Sequence, residues 1–221
     1  NVLVGNNDHI SDENGYVLFK NDDQTYVMFL EDGGGHAGVG SNQAYTDRAW
    51  HHVVGTWDGV NMRLYVDGVL HDTQSQTVTP VSNVYPLYIG TSPLGYHYNG
   101  IIDEVRIYSR ALGPSEVAAL AKSGAVQVGA TAETMQQGTT LTNGLVGYWT
   151  MDGPDTISTI TDKSGQGNNG YFYGGATSSA KAQGKLGQAF DLESGSSHYV
   201  SVGTPASLQL TGAMTACAWV N

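Results

Sequence analysis

Trp50-His51-His52-Val53-Val54-Gly55-Thr56-Trp57-Asp58-Gly59 runs straight into Val60-Asn61-Met62-Arg63-Leu64-Tyr65-Val66-Asp67-Gly68. Two short runs of β-branched and aromatic residues are each closed by Asp-Gly. Such pairs reach positive φ at little cost and favour tight hairpin turns. The stretch therefore predicts strands over 52–57 and 61–66, with a second turn leading into a third strand over 69–71. Working outward, Asn-Gly or Asp-Gly recurs at 14–15, 32–33, 99–100, 143–144, 152–153 and 169–170. Between these pairs lie further short runs, at 16–20, 25–30 and 86–90. The run 101–109 alternates, with Ile101, Asp103, Val105 and Ile107 predicted on one face and Ile102, Glu104, Arg106 and Tyr108 on the other. Pro114-Ser115-Glu116, followed by Val117, Leu120 and Ala121 at helical spacing and closed by Gly124, predicts a short helix.

Composition agrees with an all-β chain. Of 221 residues, 13% are charged, where about 25% is usual. There are 30 Gly, and 13 Tyr against 4 Phe. Low charge, many glycines and abundant Tyr suit strands and turns, not helical bundles or coiled coils. The length suits one domain of sandwich type, large enough to bury a core without staples. The net charge of −11 argues against a phosphate backbone or an anionic membrane surface as partner. It serves solubility or a cation-binding secreted protein. No apolar run approaches the roughly 18 residues of a membrane span, so no membrane insertion is expected. No leader is visible, so any leader was removed or never formed part of this sequence. Cys217 is the single cysteine and sits in an apolar run, where it reads as a small buried filler.

Composition shifts at 125–144, rich in Ala, Thr, Gln and Gly and without clear periodicity; this segment reads as a linker. A second β-rich block follows over 145–221. It contains Gly147-Tyr148-Trp149, a Gly/Asn loop at 162–170, and runs at 171–173, 188–192, 198–202 and 213–220.

The opening stretch, with Tyr88-Ile89-Gly90 and the run Asn99-Gly100-Ile101-Ile102-Asp103-Glu104-Val105-Arg106-Ile107-Tyr108, resembles the middle and end of a laminin G-like, concanavalin A-like domain. Gly144-Leu145-Val146-Gly147-Tyr148-Trp149-Thr150-Met151-Asp152-Gly153 resembles the opening strand of that family. Asp162-Lys163-Ser164-Gly165-Gln166-Gly167-Asn168-Asn169-Gly170 resembles its early loop, and Gly187-Gln188-Ala189-Phe190-Asp191, Tyr199-Val200 and Ala218-Trp219-Val220 its next strands. The resemblance implies an antiparallel jelly-roll β-sandwich with one short helix. Its parts stand in permuted order: 1–124 is the C-terminal half of the domain and 145–221 the N-terminal half. The second half then completes either the first half of the same chain or that of a neighbouring copy. In the latter case the contact is head-to-tail and builds a ring or filament, or a tandem array within a longer chain.

Placed on this fold, Asp103 lies on the last strand and Asp152 just after the first, and the resemblance implies that they meet at a structural Ca²⁺ site. Asp162, with Ser164, Gln166 and Asn168, forms a second oxygen-rich alternation, which either holds a cation or caps its own turn. It is not an EF-hand, because the position that needs Glu holds Tyr173. Gly165-Gln166-Gly167-Asn168-Asn169-Gly170 fits GxGxxG, yet a strand follows and not a helix, so it is no nucleotide loop. His51 and His52 point to opposite faces of a strand and cannot easily share a metal. Tyr residues around 96–98 and 171–173 either stack on sugar rings or pack over neighbouring strands; carbohydrate-contacting residues cannot be assigned further. No GxSxG, HExxH or paired-carboxylate strand motif is present. The expectation is an extracellular or cell-surface structural or adhesive module, not an enzyme, with carbohydrate binding as the alternative.

Overall fold

A computed structural model of the chain describes residues 1–7, 14–123, 141–153, 159–174, 180–192 and 197–221. The strands in chain order are β1 (Val2–Gly5), β2 (Asn14–Lys20), β3 (Tyr26–Asp32), β4 (His36–Gly40), β5 (His51–Trp57), β6 (Asn61–Val66), β7 (Val69–Ser75), β8 (Leu87–Ile89) and β9 (Gly100–Tyr108). A helix, α1 (Pro114–Ser123), follows. The chain continues with β10 (Leu145–Trp149), β11 (Thr159–Ile160), β12 (Gly170–Tyr173), β13 (Lys181–Gln183), β14 (Gln188–Leu192), β15 (Tyr199–Gly203) and β16 (Met214–Val220).

Turn chemistry acts as the sequence predicts at six of the eight pairs. Glycines 15, 33, 59, 68, 144 and 153 all have positive φ. Asp58 shows how such a turn is fixed: its Oδ1 accepts the N–H groups of Val60 (3.0 Å) and Asn61 (2.8 Å). The β6–β7 turn has positive φ at both Asp67 and Gly68, the combination that matches strand twist in two-residue hairpins. The pairs at 99–100 and 169–170 differ, since Gly100 and Gly170 begin strands β9 and β12. There the constraint is space: a Cβ on Gly100 would lie 2.5 Å from the Asn221 carbonyl oxygen, and one on Gly170 2.5 Å from Val200.

The strands form two antiparallel sheets. One has the order β11-β12-β15-β8-β1-β2-β3-β4, and the other β13-β14-β9-β16-β5-β6-β7, with β10 also paired to β9. Strands from 1–124 and from 145–221 therefore alternate within both sheets. β16 lies between β5 and β9 and pairs with each along its length. β15 joins β12 to β8. The core between the sheets draws on both parts of the chain: Leu18, Met28, Val53 and Ile107 from the first, and Trp149, Phe190, Ala216 and Val220 from the second.

β9 departs from its predicted alternation. Ile102, Val105 and Ile107 all face the core, whereas strict alternation puts Ile102 opposite the other two. The cause is a β-bulge: Glu104 has φ of 53°, and the register with β16 shifts between Cys217 and Trp219. One extra residue swaps the faces on either side of it. Across the outer face of this sheet, α1 lays Val117 and Leu120 on Val54, Tyr65, Tyr108 and Cys217. Glu116 fixes the helix start by accepting the Gly113 N–H (2.9 Å) while pairing with Arg110 (2.7 Å). Cys217 is fully buried, as a small filler should be, and burial pushes its thiol up to about 12. The predicted helix stop at Gly124 and most of the 125–144 segment fall outside the described residues.

Trp149 is fully buried in the core, and its indole N–H donates to the Asn168 carbonyl (2.9 Å). Trp149→Ala is expected to cost about 3–5 kcal/mol in urea unfolding, as a single transition. A loss below about 1 kcal/mol would contradict this placement.

Candidate metal site and surface cavities

Asp103 sits next to the bulge. β16 runs along one edge of β9, while the other edge is shared by β10, opposite Val105 to Tyr108, and β14, opposite Gly100 to Ile102. Asp103 thus occupies the junction between two strand ends. It has no exposed surface, and its Oδ2 accepts the Leu186 N–H (3.0 Å), while its Oδ1 has no hydrogen-bond partner. Asp152 follows β10 in a strained turn, flanked by Met151 (φ 57°) and Gly153 (φ 78°). Its Oδ1 accepts the Gln188 N–H (2.7 Å).

The structure therefore brings Asp103 and Asp152 to the same turn, residues 184–187 between β13 and β14. Two glycines let the backbone approach. A Cβ on Gly184 would lie 2.6 Å from Asp103 Oδ2, and one on Gly187, whose φ is 57°, would collide with the Asp152 carboxylate. Burial pushes the Asp103 carboxyl up to about 7, and the charges of Glu104 and Asp152 push the same way. Two neighbouring carboxylates, one buried with an orphaned oxygen, suit a hard divalent cation that takes oxygen ligands. Among the described residues no group of three or more His, Cys, Asp or Glu side chains gathers for a metal. Any further ligands at this pair would have to be carbonyl oxygens or water.

Asp162 is placed elsewhere. Its Oδ1 accepts the N–H groups of Tyr148 (2.9 Å) and Ser164 (2.8 Å). Its Oδ2 accepts the Ser164 hydroxyl (2.7 Å) and the Asn168 N–H (2.9 Å). These four donors tie the 162–168 loop to β10. Asn168 extends the tie by donating to the Val146 carbonyl (2.7 Å).

The two histidines have separate surroundings. His51 bridges Asp47 (2.9 Å) and Asp67 (2.8 Å). His52 is buried against Trp219, with ring centroids 5.0 Å apart and neither ring nitrogen hydrogen-bonded. Burial, with a contribution from Arg106, depresses His52 to about 3, so it is neutral. Of the tyrosines flagged by the sequence, Tyr98 is buried and its hydroxyl donates to the Asn221 carbonyl (3.2 Å). Tyr96, Tyr171 and Tyr173 are exposed. Tyr173 stacks on Tyr199 at 5.1 Å, and Tyr199 meets the ring of Tyr88 edge-on.

Sequence reasoning missed a cavity of about 480 Å³ on the outer face of the β16 sheet, where Trp50, Trp219, Lys122 and Lys185 converge beside α1. Its residues come from opposite ends of the chain and share no local motif.

A family model for laminin G-like domains of the concanavalin A-like lectin/glucanases superfamily matches residues 2–118. No curated protein matches the chain. Among solved structures, the chain is similar to an S-layer domain-containing protein from Clostridium thermocellum, with 26% identity and a TM-score of 0.29. That match covers 55% of this chain and 62% of the other, so the chain spans less than two thirds of it.

The raised Asp103 carboxyl has a stability signature in the metal-free chain. The unfolded carboxyl ionises near its ordinary value of 3.8, and the folded one near 7. Between these values the folded state binds more protons, so this group's contribution to stability falls as pH rises from about 4 to about 7 and is flat above that. Asp103→Asn is expected to remove that component from stability measured in chelator across pH 4–8. An unchanged slope would refute the assignment.

Proposed function

The chain belongs to the concanavalin A-like lectin/glucanases superfamily, and from that premise we propose that it is a non-catalytic structural module of an extracellular or cell-surface protein. Its two parts, 1–124 and 145–221, complete one sandwich, and Ca²⁺ at Asp103 and Asp152 fastens the joint. The observation that carries this reading is the position of β16 between β5 and β9, with all seven of its residues buried. Removing it would split a sheet and open the core. Asp103 belongs to the first part and Asp152 to the second, and both grip the 184–187 turn, so a cation there would bridge the two parts. Asp103 has no exposed surface, which suits a staple and does not suit a carboxylate that must reach a substrate.

The same contacts could join successive copies head-to-tail if 145–221 of one copy completed 1–124 of the next. A linker of about 20 flexible residues reaches roughly 25 Å, enough for either arrangement. Closure within one chain is the arrangement described above, and it is the one we favour. A second reading, carbohydrate binding, draws on the exposed rings of Tyr96, Tyr171 and Tyr173 and on the tryptophan-lined cavity.

Light scattering on the native chain tests the closure. A particle near 23.4 kDa is expected with and without chelator; a larger particle or filament would replace it with the head-to-tail reading. Calcium is expected to raise the unfolding free energy, by about 2.7 kcal/mol at a hundredfold excess over Kd. Asp103→Asn and Asp152→Asn should each abolish that rise. A chain whose stability ignores calcium would remove the staple.

A further inference from the structure

The cavity beside α1 has a composition that the fold does not require. One wall is the β6–β7 turn, where Gly68 packs so closely on the helix that a Cβ there would lie 3.2 Å from Ala121 Cβ. Ala118 and Ala121 keep the helix side shallow. Trp50 and Trp219 supply aromatic surface, and Lys122 and Lys185 supply charge. The Lys185 ammonium lies 4.6 Å from the centre of the Trp219 ring. The chain has 9 basic residues against 20 acidic ones, so two lysines at one aromatic cavity stand out against an acidic molecule. The acidic side chain at the rim, Asp67, is already engaged: one oxygen pairs with His51 (2.8 Å) and the other accepts the His52 N–H (2.8 Å). It therefore leaves the lysine charge largely uncompensated.

We infer that this cavity binds an acidic sugar, a pyranose ring carrying a carboxylate, with the indoles of Trp50 and Trp219 against its C–H face and Lys122 and Lys185 at its carboxylate. The inference rests on the carbohydrate-binding reading and moves its site from the tyrosines to this cavity. Three observations fit that ligand. The volume of about 480 Å³ lies within the usual range of small-ligand pockets, about 300–1,000 Å³. Aromatic faces offer apolar surface without demanding hydrogen bonds. The ammonium of Lys185 rests on the indole at the end of a flexible stem, so it can lift onto an anionic group while its methylenes stay on the ring. A neutral sugar would leave the two ammonium groups unused, and the charge selects against it.

The chain carries its own reporter. Trp57 and Trp149 are buried in the core, so a ligand-induced change in indole emission comes from Trp50 and Trp219. The test titrates the whole chain with a galacturonic acid trimer, a neutral galactose trimer and sodium acetate, following emission and calorimetric heat together. Saturable quenching by the acidic trimer is expected, weakening as salt is raised, with little response to the neutral trimer or to acetate. Lys185→Gln and Lys122→Gln should each weaken binding by about three- to tenfold, and Trp50→Ala should abolish the quenching while the melting temperature stays near that of the parent. Equal quenching by the neutral trimer, or by acetate at matched carboxylate, would overturn the inference. Heat without any emission change would place the sugar elsewhere, sinking this site and sparing the carbohydrate reading. Neither heat nor quenching would remove both.

Discussion

Everything in this molecule depends on β16 being clasped between β5 and β9. All seven residues of the strand are buried, its alternate side chains serving the core between the sheets and the layer under α1. A central strand has ladder partners on both edges, so its loss would leave two rows of backbone donors and acceptors unpaired. The chain supplies it from its far end. The sandwich is consequently non-local: β9 receives β10, β14 and β16 from the second part, and β8 receives β15. Such long-range pairing predicts slow, cooperative folding rather than stepwise assembly from the amino terminus.

The second organising feature is the bulge in β9. It lets Ile102, Val105 and Ile107 all face the core while leaving Asp103 at the junction of β10 and β14. On the outer face, Glu104 pairs with Arg106 and accepts the Tyr148 hydroxyl (2.8 Å), while the Arg106 guanidinium lies 4.1 Å from the Tyr148 ring centre. This buried polar group again joins the two parts of the chain. Asp103 and Asp152 on one side, and Glu104, Arg106 and Tyr148 on the other, mark the seam with charge. Apolar packing supplies the bulk of the cohesion, and the charged contacts fix its register.

The legible and illegible parts of this structure divide along physical lines. The β5–β6–β7 hairpins were readable because their turns are encoded by two residues each. α1 was readable from its capping residues and the spacing of Val117 and Leu120. β4 was not, because His36-Ala37-Gly38-Val39-Gly40 has little β-propensity; Gly38 is there because the Phe29 ring lies over it. β11 and β13, two and three residues long, carry too little pattern to register. The bulge left no mark in the unbroken alternation of 101–108, since it lies in backbone dihedrals and not in residue type. Asp103 and Asp152 came together as the family resemblance implied, but the glycines of the 184–187 turn that bracket them carried no signal until the backbones were placed. The Trp50–Trp219 cavity was invisible for the opposite reason: its parts are ordinary residues that tertiary structure alone assembles.

Native-state hydrogen exchange on the intact chain measures the central dependence directly. If the two parts form one sandwich around β16, the slowest amides of β15 and β16 exchange with the same opening free energy as those of β5 and β6, and denaturant lowers all of them in parallel. If instead the amides of 199–220 open through a separate, lower-energy step while 51–66 stay protected, the second part is an appendage, and the account of a single complemented sandwich is wrong.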